Sequence, residues 1–363
     1  MFSAADYAFM SHALRLAERG LYSTTPNPRV GCVIVRDGQI AGSGWHEKAG
    51  QPHAEINALT AAGAATRGAT AYVTLEPCSH HGRTPPCTDA LIAAGIVRVV
   101  MAMEDPNPLV SGRGQAVLQQ AGVIVQTGLL QAEAHALNAG FVSRMTRKKP
   151  WVRLKTAASL DGKTALNNGV SQWITGEAAR CDGHRWRARS CAIMTGIGTV
   201  KSDDPQLSVR HIETDRQPRK VVVDSHLTIP LEARLLQGRE ETFIFTACAE
   251  NPEKKAALSR MNARVIALPD AKGAVDLQQM MTVLAESGIN EVLVEAGSGL
   301  NGALVEAGLV DELIIYVAPH LIGNDAQGMI ALPELTDLER KKKLKIQDVR
   351  MIGQDIRIIA GFL

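Results

Sequence analysis

Hydrophobic and polar positions in the N-terminal part of the chain predict helices and strands in turn. Residues 4–19 have helical spacing, and this pattern ends at Gly20. The apolar run 30–35 predicts a buried strand, Asp37-Gly38 a tight turn, and 40–45 the strand that pairs with it. The same patterns then predict helices over 53–62, 88–94 and 113–121, and strands over 71–75, 97–102 and 123–126. This alternation favours an α/β/α sandwich.

A basic stretch that ends in a proline, 147–150, separates this part from a second α/β block. Helical segments fall between most of the predicted strands of that block, so we expect a mostly parallel sheet covered by helices. The predicted strands are 152–158, 192–196, 220–224, 242–246, 264–267, 291–295 and 313–317. The sequence therefore predicts two domains, 1–147 and 148–363.

Composition narrows the class of protein. Hydrophobic residues make up 45% and charged residues 21% of the 363 positions, as in ordinary globular proteins. The net charge of +2 gives no reason to expect a nucleic-acid or membrane partner, and the run Lys341-Lys342-Lys343 with Lys345 is interpreted as a solvated helix or loop face. The 6 cysteines are too sparse for a disulfide scaffold, and no signal peptide or apolar membrane span is evident. We expect a reduced, cytoplasmic protein.

The strongest candidate for chemistry is His53-Ala-Glu55, followed by Cys78 and Cys87. One histidine and two cysteines suit Zn²⁺ with a fourth position open for water, whereas a structural zinc site would need a fourth protein ligand. Glu55 is well placed to move protons. With Pro77 before the first cysteine, the set matches the HxE…PCxxC signature of zinc-dependent deaminases, except that eight residues separate the cysteines here.

Two further segments accompany this motif. The insertion between the cysteines is either a restricted surface loop or a place where His80, His81 and Arg83 meet a substrate phosphate. Asn27, between two prolines, offers an amide that can hydrogen-bond the edge of a heterocycle.

Glycine-rich segments follow two predicted strands of the second block. Gly297-Ser-Gly-Leu-Asn-Gly302 matches GxGxxG before a helix predicted over 303–307, an arrangement that can bind phosphate at the helix N-terminus. The chain that follows, about sixty residues, is too short for a complete Rossmann unit, and tight packing of the strand on the helix is the alternative. The segment 195–200 is a second candidate for anion binding. These residues support a phosphorylated or dinucleotide ligand.

Taken together, the motifs resemble those of the bifunctional deaminase–reductases of riboflavin biosynthesis. The resemblance spans nearly the whole chain, and the long gap between the cysteines is typical of that family. The matching segments are Pro26–Cys32, His53–Glu55, Glu76–Cys87, Asp105–Pro108, Lys155 with Ser159–Gly162, Ser171 with Trp173–Thr175, Gly196 with Thr199 and Asp203–Pro205, and Val294–Gly297.

The resemblance implies a cytidine-deaminase-like domain followed by a domain similar to dihydrofolate reductase. The first would use Zn²⁺ to deaminate 2,5-diamino-6-(5-phosphoribosylamino)pyrimidin-4-one. The second would use NADPH to reduce the resulting 5-amino-6-(5-phosphoribosylamino)uracil to the ribityl compound. We therefore expect small phosphorylated pyrimidines as binding partners, and neither nucleic acid nor a membrane. We also expect the protein to form a homo-oligomer of unspecified size.

The resemblance also implies residue roles. In the first domain, His53, Cys78 and Cys87 would hold the metal, Glu55 would be catalytic, and Asn27, His80 and Arg83 would meet the substrate. NADPH would contact Ala157, Ser171, Trp173, Thr199, Asp203, Ser225, Gly297, Ser298, Gly299, Leu300, Asn301, Gly302 and Ala303. The second substrate would meet Lys155, Arg187, Leu207, Arg210 and Glu295, with Arg187 and Arg210 suited to its phosphate and either Glu295 or Lys155 assisting proton transfer.

Three alternatives remain at this point. A nucleic-acid deaminase would share the zinc motif, but it predicts a basic strand-binding face and a short cysteine spacing, and the sequence has neither. Residues 150–363 could instead form a noncatalytic binding module. Finally, one of the two activities could have been lost, although the zinc motif and the glycine motif are both intact.

Overall fold

The computed structural model describes residues 1–79, 85–108, 110–248 and 250–363. The chain divides into two compact units, Met1–Lys149 and Pro150–Leu363. Each unit is built around its own sheet. Within the described ranges, no helix has the length and apolar character that crossing a membrane requires.

The first unit is an α/β/α sandwich, as predicted. Its five-stranded sheet has the order β2-β1-β3-β4-β5, with the hairpin antiparallel and β3, β4 and β5 parallel. The strands are β1 Gly31–Arg36, β2 Gln39–Trp45, β3 Thr70–Val73, β4 Arg98–Met101 and β5 Ile124–Thr127. The helices are α1 Ala4–Glu18, α2 Ala54–Ala62, α3 Cys87–Ala93, α4 Arg113–Gln120, α5 Gln131–Leu137 and α6 Ala139–Arg147.

Local sequence explains how these elements begin and turn. Ser3 caps α1, because its side chain accepts a hydrogen bond from the Asp6 backbone N–H while the Asp6 carboxylate accepts one from the Ser3 backbone. Asp37 and Gly38 both have positive φ, 50° and 74°, as a two-residue hairpin turn requires. α5 and α6 were not predicted, although Ala134, Leu137, Phe141 and Met145 have helical spacing.

The second unit is a nine-stranded sheet of order β11-β10-β9-β8-β12-β6-β13-β16-β15, with a small separate pair β14-β7. The strands are β6 Trp151–Ser159, β7 Lys163–Ala165, β8 Ala192–Gly196, β9 Arg219–Val223, β10 Thr242–Thr246, β11 Ala263–Ala267, β12 Glu291–Val294, β13 Glu312–Ala318, β14 Gln327–Gly328, β15 Leu344–Ile352 and β16 Asp355–Phe362. The helices are α7 Glu177–Arg189, α8 Ile197–Asp203, α9 Pro252–Arg260, α10 Leu277–Glu286 and α11 Ser298–Glu306.

All seven strands predicted for this block are present, and they pair in parallel from β11 to β13. The prediction missed the antiparallel hairpin of β15 and β16. The lysine run is exposed as expected, but Lys345 lies on β15 rather than on a helix or loop. One boundary was wrong: the helix expected from Ala303 begins at Ser298, directly after its N-cap Gly297, so residues 298–302 are already helical.

A buried charge cluster secures the middle of this sheet. Arg153 on β6 donates to Glu291 on β12 at 2.8 Å and to Glu312 on β13 at 2.6 Å. Burial by itself would lower the pKa of Arg153, but the two glutamates outweigh burial and raise it, so the guanidinium stays charged. The three central strands are therefore held in one register by charge as well as by backbone pairing.

Candidate active sites

The metal-ligating residues predicted from sequence lie together in the first unit. The Nδ1 atom of His53 is 3.3 Å from Cys87 Sγ and 3.6 Å from Cys78 Sγ. All three ligand atoms lie within 4.8 Å of one another. A tetrahedral zinc ion with Zn–N near 2.0 Å and Zn–S near 2.3 Å separates nitrogen from sulfur by about 3.6 Å. The donors and their spacing therefore fit zinc.

Helix N-termini and hydrogen bonds at the metal site favour the ionised form of a cysteine sulfur atom. His53 caps α2, Cys87 begins α3, and the Cys87 backbone N–H donates to Cys78 Sγ at 3.3 Å. Hydrogen bonds with the side chains of Cys87 and His53 lower the pKa of Cys78 to about 4. The Cys78 sulfur is thus held as a thiolate, the form that ligates metal.

Glu55 lies in the first turn of α2, and only 3% of its surface is exposed. Burial raises the pKa of Glu55 to about 7, although the neighbouring His53 acts to lower it. A carboxyl group that titrates near neutrality can both accept and donate a proton at ordinary pH, which is what a general acid–base group needs.

His46 orients the amide of Asn27. A carbonyl oxygen can only accept, so His46 Nδ1, 3.1 Å from the Pro52 oxygen, carries the hydrogen. Its Nε2 must then accept from Asn27 Nδ2 at 3.1 Å. The Asn27 Oδ1 atom is left as the acceptor for a ligand donor. No sequence motif pointed to His46, because its partners are brought to it only by the fold.

A cavity of about 240 Å³ is lined by Asn27, His46, His53, Glu55 and Cys78 together with Asp105 and Asn107. The loop that carries Asp105 is tied to the metal site by Glu76, whose carboxylate accepts backbone N–H groups from Asp105, Gly112, Gly114 and Gln115. In the sequence, this side of the cavity was indicated by residues 105–108, which belong to the segments that resemble the family. His80 and Arg83, predicted to meet the substrate, lie outside the described residues.

A larger cavity, about 870 Å³, lies in the second unit. It also contains His184, His211 and Arg234, which sequence reasoning missed. Ser225 and residues 299–303 do not line it. The predicted residues that do line it are Lys155, Ala157, Ser171, Trp173, Arg187, Thr199, Asp203, Leu207, Arg210, Glu295, Gly297 and Ser298.

The glycines of the GxGxxG segment serve different purposes. Gly297 is the N-cap of α11 and lines the cavity, and a side chain at Gly299 would meet open space. At Gly302, in contrast, an added Cβ would collide with the carbonyl oxygen of Ala331. The first part of the motif therefore offers a helix N-terminus to a ligand, while its last glycine permits close packing.

Glu295 and Arg187 form a two-pronged ion pair on the cavity wall. Arg187 Nε and Nη2 donate to the two Glu295 oxygens at 2.7 and 2.8 Å. Burial would raise the pKa of Glu295, but Arg187 and Lys155 outweigh it and lower that pKa to about 2. Burial also lowers the pKa of Lys155, with Glu295 acting in the opposite direction. The wall thus holds a fixed carboxylate and a lysine that gives up its proton more readily than usual.

Comparisons with known proteins agree over both units. The family model of the cytidine and deoxycytidylate deaminase zinc-binding region matches residues 3–103. The family model of the RibD C-terminal domain matches residues 150–358. The riboflavin biosynthesis protein RibD of Escherichia coli (strain K12) is 49% identical over 363 residues, which cover 97% of this chain and 98% of that protein. The chain belongs to the RibD family.

Solved structures of this family have the same fold. A structure of Acinetobacter baumannii RibD is 44% identical, covers 99% of both chains and has a TM-score of 0.92. The diaminohydroxyphosphoribosylaminopyrimidine deaminase/5-amino-6-(5-phosphoribosylamino)uracil reductase of Thermotoga maritima is 34% identical, covers 99% of both chains and has a TM-score of 0.87.

Membership of the RibD family confirms the expected fold and the expected pair of activities. The chain is a bifunctional deaminase–reductase of riboflavin biosynthesis, with a zinc-binding deaminase domain and a reductase domain. The second block is therefore a reductase domain and not a noncatalytic binding module.

The sulfur ligands can be tested by measuring bound zinc. We expect Cys78→Ser to lower the zinc content of the purified protein from about one ion per chain to near zero, because three protein ligands leave no redundancy. Cys248→Ser is the matched control, since Cys248 is also a free, half-buried cysteine but lies in the second unit. Full zinc retention by Cys78→Ser in elemental analysis would contradict the ligand set.

Proposed function

We propose that the first domain (1–147) deaminates 2,5-diamino-6-(5-phosphoribosylamino)pyrimidin-4-one, and that the second (148–363) reduces 5-amino-6-(5-phosphoribosylamino)uracil with NADPH. The observation that carries this proposal is one chain with both a His-Cys-Cys metal cluster beside a titratable glutamate and a large, cation-lined cavity at a glycine-capped helix. The Thermotoga maritima relative, whose name states both reactions, supports the choice of substrates.

In the deaminase domain, His53, Cys78 and Cys87 would hold Zn²⁺, which when bound makes a water molecule acidic enough to react at neutral pH. Glu55 accepts a proton from the attacking water and passes it to the ring nitrogen. It then takes the proton of the newly formed hydroxyl group and delivers it to the amino group, which leaves as ammonia while the carbonyl forms. Asn27 Oδ1 accepts a hydrogen bond from the pyrimidine edge and so orients the ring.

In the reductase domain, NADPH would supply the hydride that adds to C1′ of the opened sugar. We infer that its phosphates meet the N-terminus of α11, because its N-cap Gly297 and first residue Ser298 line the cavity. Ala157, Ser171, Trp173, Thr199 and Asp203 would form the rest of the cofactor site.

The sugar ring oxygen must gain a proton during reduction, and we infer that Lys155 provides it. Glu295 is a poor donor, because its pKa is about 2 and both of its oxygens are bound by Arg187. Lys155 is a half-buried cation beside this pair, and its partial burial lowers its pKa. Glu295 is held as a carboxylate with no proton to give, whereas Lys155 releases its proton more readily than an ordinary lysine, so Lys155 is the better donor of the two.

We infer that Arg210, rather than Arg187, binds the substrate phosphate. Arg187 already uses Nε, Nη1 and Nη2 for Glu295 and the Ser208 carbonyl oxygen. Arg210 is exposed at the cavity, and among the described residues its guanidinium bonds only to Gln206 and Ser208, both of its own segment. Leu207 would pack beside the substrate.

We also infer a cytoplasmic location and no nucleic-acid partner. All six cysteines are free, and metal ligation by Cys78 and Cys87 requires reduced sulfur, which a reducing compartment maintains. The net charge of +2 provides no extended basic field for nucleic acid.

We infer a homo-oligomer that associates through the edge of the second sheet. β15 is the edge strand, and four of its apolar side chains on one face are 40–63% exposed: Leu344, Ile346, Val349 and Met351. Their cross-strand partners extend the same apolar face onto β16 with Phe362, Ala360, Ile358 and Ile356. An apolar edge of this kind is stable when it pairs with a second copy.

The paired activities are tested by supplying the diaminopyrimidine nucleotide with zinc and NADPH. We expect ammonia release followed by loss of NADPH absorbance. With Glu55→Gln, ammonia release should fall by about 10³-fold, since the general acid–base group is gone. Zinc content should stay unchanged, and reduction of added 5-amino-6-(5-phosphoribosylamino)uracil should continue at the wild-type rate. Ammonia without NADPH oxidation by the wild type would remove the reductase proposal, and zinc loss in Glu55→Gln would show that Glu55 holds the metal.

The proton donor is tested by single-turnover reduction. Lys155→Met should slow hydride transfer by about 10²-fold or more with NADPH binding retained. Because burial lowers the pKa of Lys155, the wild-type rate should fall as pH rises through a value below 10.5, and this limb should vanish in the variant. Glu295→Gln is the comparison: a larger rate loss there, with Lys155→Met unaffected, would assign the proton to Glu295 instead.

The edge-strand surface is tested by sedimentation velocity. The double variant Ile346→Lys/Met351→Lys should convert the wild-type oligomer to a smaller species, because burying two charged ammonium groups in the interface costs free energy. Lys345→Ala, on the opposite face of β15, should leave the sedimentation coefficient unchanged. A wild-type protein that sediments as a monomer, or a double variant that stays associated, would contradict this interface.

A further inference from the structure

One segment of the reductase cavity has an unusual backbone. Asp204, Leu207 and His211 have φ values of 37°, 49° and 63°, in the left-handed region that residues other than glycine seldom adopt. Such conformations persist only where surrounding contacts hold them, and they cluster at ligand sites. The segment 204–211 carries Leu207 and Arg210, two of the proposed substrate contacts.

Two side chains one turn apart on α7 hold this segment. Arg187 Nη1 donates to the Ser208 carbonyl oxygen at 3.0 Å. The Arg210 backbone N–H donates to His184 Nδ1 at 2.9 Å. Spaced three residues apart, His184 and Arg187 share a helix face. The residues bonded to them, Ser208 and Arg210, flank Val209, whose backbone is paired with the Gln217 side chain.

The hydrogen bond to Arg210 dictates the state of the His184 ring. Nδ1 accepts, so it carries no hydrogen, and the ring must be neutral with the hydrogen on Nε2. The surroundings favour this state, because burial together with Arg187 and Arg210 lowers the pKa of His184 to about 4. The His211 ring meets His184 edge-on, with 5.0 Å between centroids, and limits its rotation.

We propose that His184 is a positioning residue of the reductase site, which holds the backbone of segment 204–211 so that Arg210 faces the substrate phosphate. This inference rests on the proposed reductase function. His184 acts through the backbone of Arg210, whose side chain makes the contact. The strained segment, the accepting nitrogen and the paired Arg187 contact all support this role.

Two substitutions at His184 distinguish a positioning role from a role in the general stability of the fold. In His184→Leu no acceptor remains for the Arg210 N–H, whereas in His184→Asn the amide oxygen can take the place of Nδ1. We expect His184→Leu to raise the KM for the phosphorylated aminouracil substrate about tenfold, as the loss of one half-buried hydrogen bond predicts, with kcat and the KM for NADPH nearly unchanged. His184→Asn should recover most of the wild-type KM.

Three controls use the same assays. The dephosphorylated substrate should show equal KM values in the wild type and both variants, because Arg210 has no phosphate to bind. In the double variant His184→Leu/Arg210→Gln, the KM should match that of Arg210→Gln alone, since the two residues act as one unit. His320→Leu, at an exposed histidine of the same unit, should behave as wild type, and ammonia release by the deaminase domain should be unchanged throughout.

The outcomes distinguish failure of this inference from failure of the proposed function. The proposal would be overturned if His184→Leu lowered kcat and raised the KM for both the substrate and NADPH to a similar extent, and if His184→Asn restored none of these values. That result would show a merely structural role. An unchanged substrate KM in His184→Leu would also overturn the proposal. If the wild type fails to oxidise NADPH with the aminouracil substrate, the reductase assignment itself fails.

Discussion

The ion pair between Arg187 and Glu295 holds together the parts of the reductase site. Arg187 extends from α7 to the end of β12, and the same guanidinium binds the Ser208 carbonyl oxygen. A half-buried carboxylate loses much of its hydration and is costly without a counter-charge, so the position of Glu295 depends on Arg187. Lys155 lies beside the pair, and its lowered pKa follows from the same burial. Lys155 and the backbone at Ser208 thus both depend on the position of this one ion pair.

In the deaminase unit, hydrogen bonds to the backbone have the corresponding role. Glu76 is saturated by four backbone N–H groups, which fixes the loop of Asp105 beside the metal ligands. His46 is held by the Pro52 carbonyl oxygen and in turn sets the direction of the Asn27 amide. Both units place their chemistry where helices begin, at His53 and at Gly297, because exposed N–H groups there favour anions and thiolates.

Much of the fold was predictable because buried parallel strands are short apolar runs. All seven strands predicted for the second unit are present for that reason. The hairpin of β15 and β16 was missed because a register shift between Ile346 and Asp348 interrupts the alternation of apolar positions. The start of α11 was misplaced because glycines at 297 and 299 suggested a loop, whereas Gly297 caps the helix and Gly299 lies within it.

The sequence by itself determined the metal-ligating set, since His53, Cys78 and Cys87 with Glu55 form a motif of fixed spacing whose chemistry few other arrangements share. Through family resemblance it also identified 12 of the 30 residues that line the reductase cavity. Only the tertiary structure decided that Arg187 is committed to Glu295, 108 positions away, and that His46 and His184 orient their neighbours. The physical reason is that hydrogen bonds and ion pairs between distant segments leave no local periodicity in the chain.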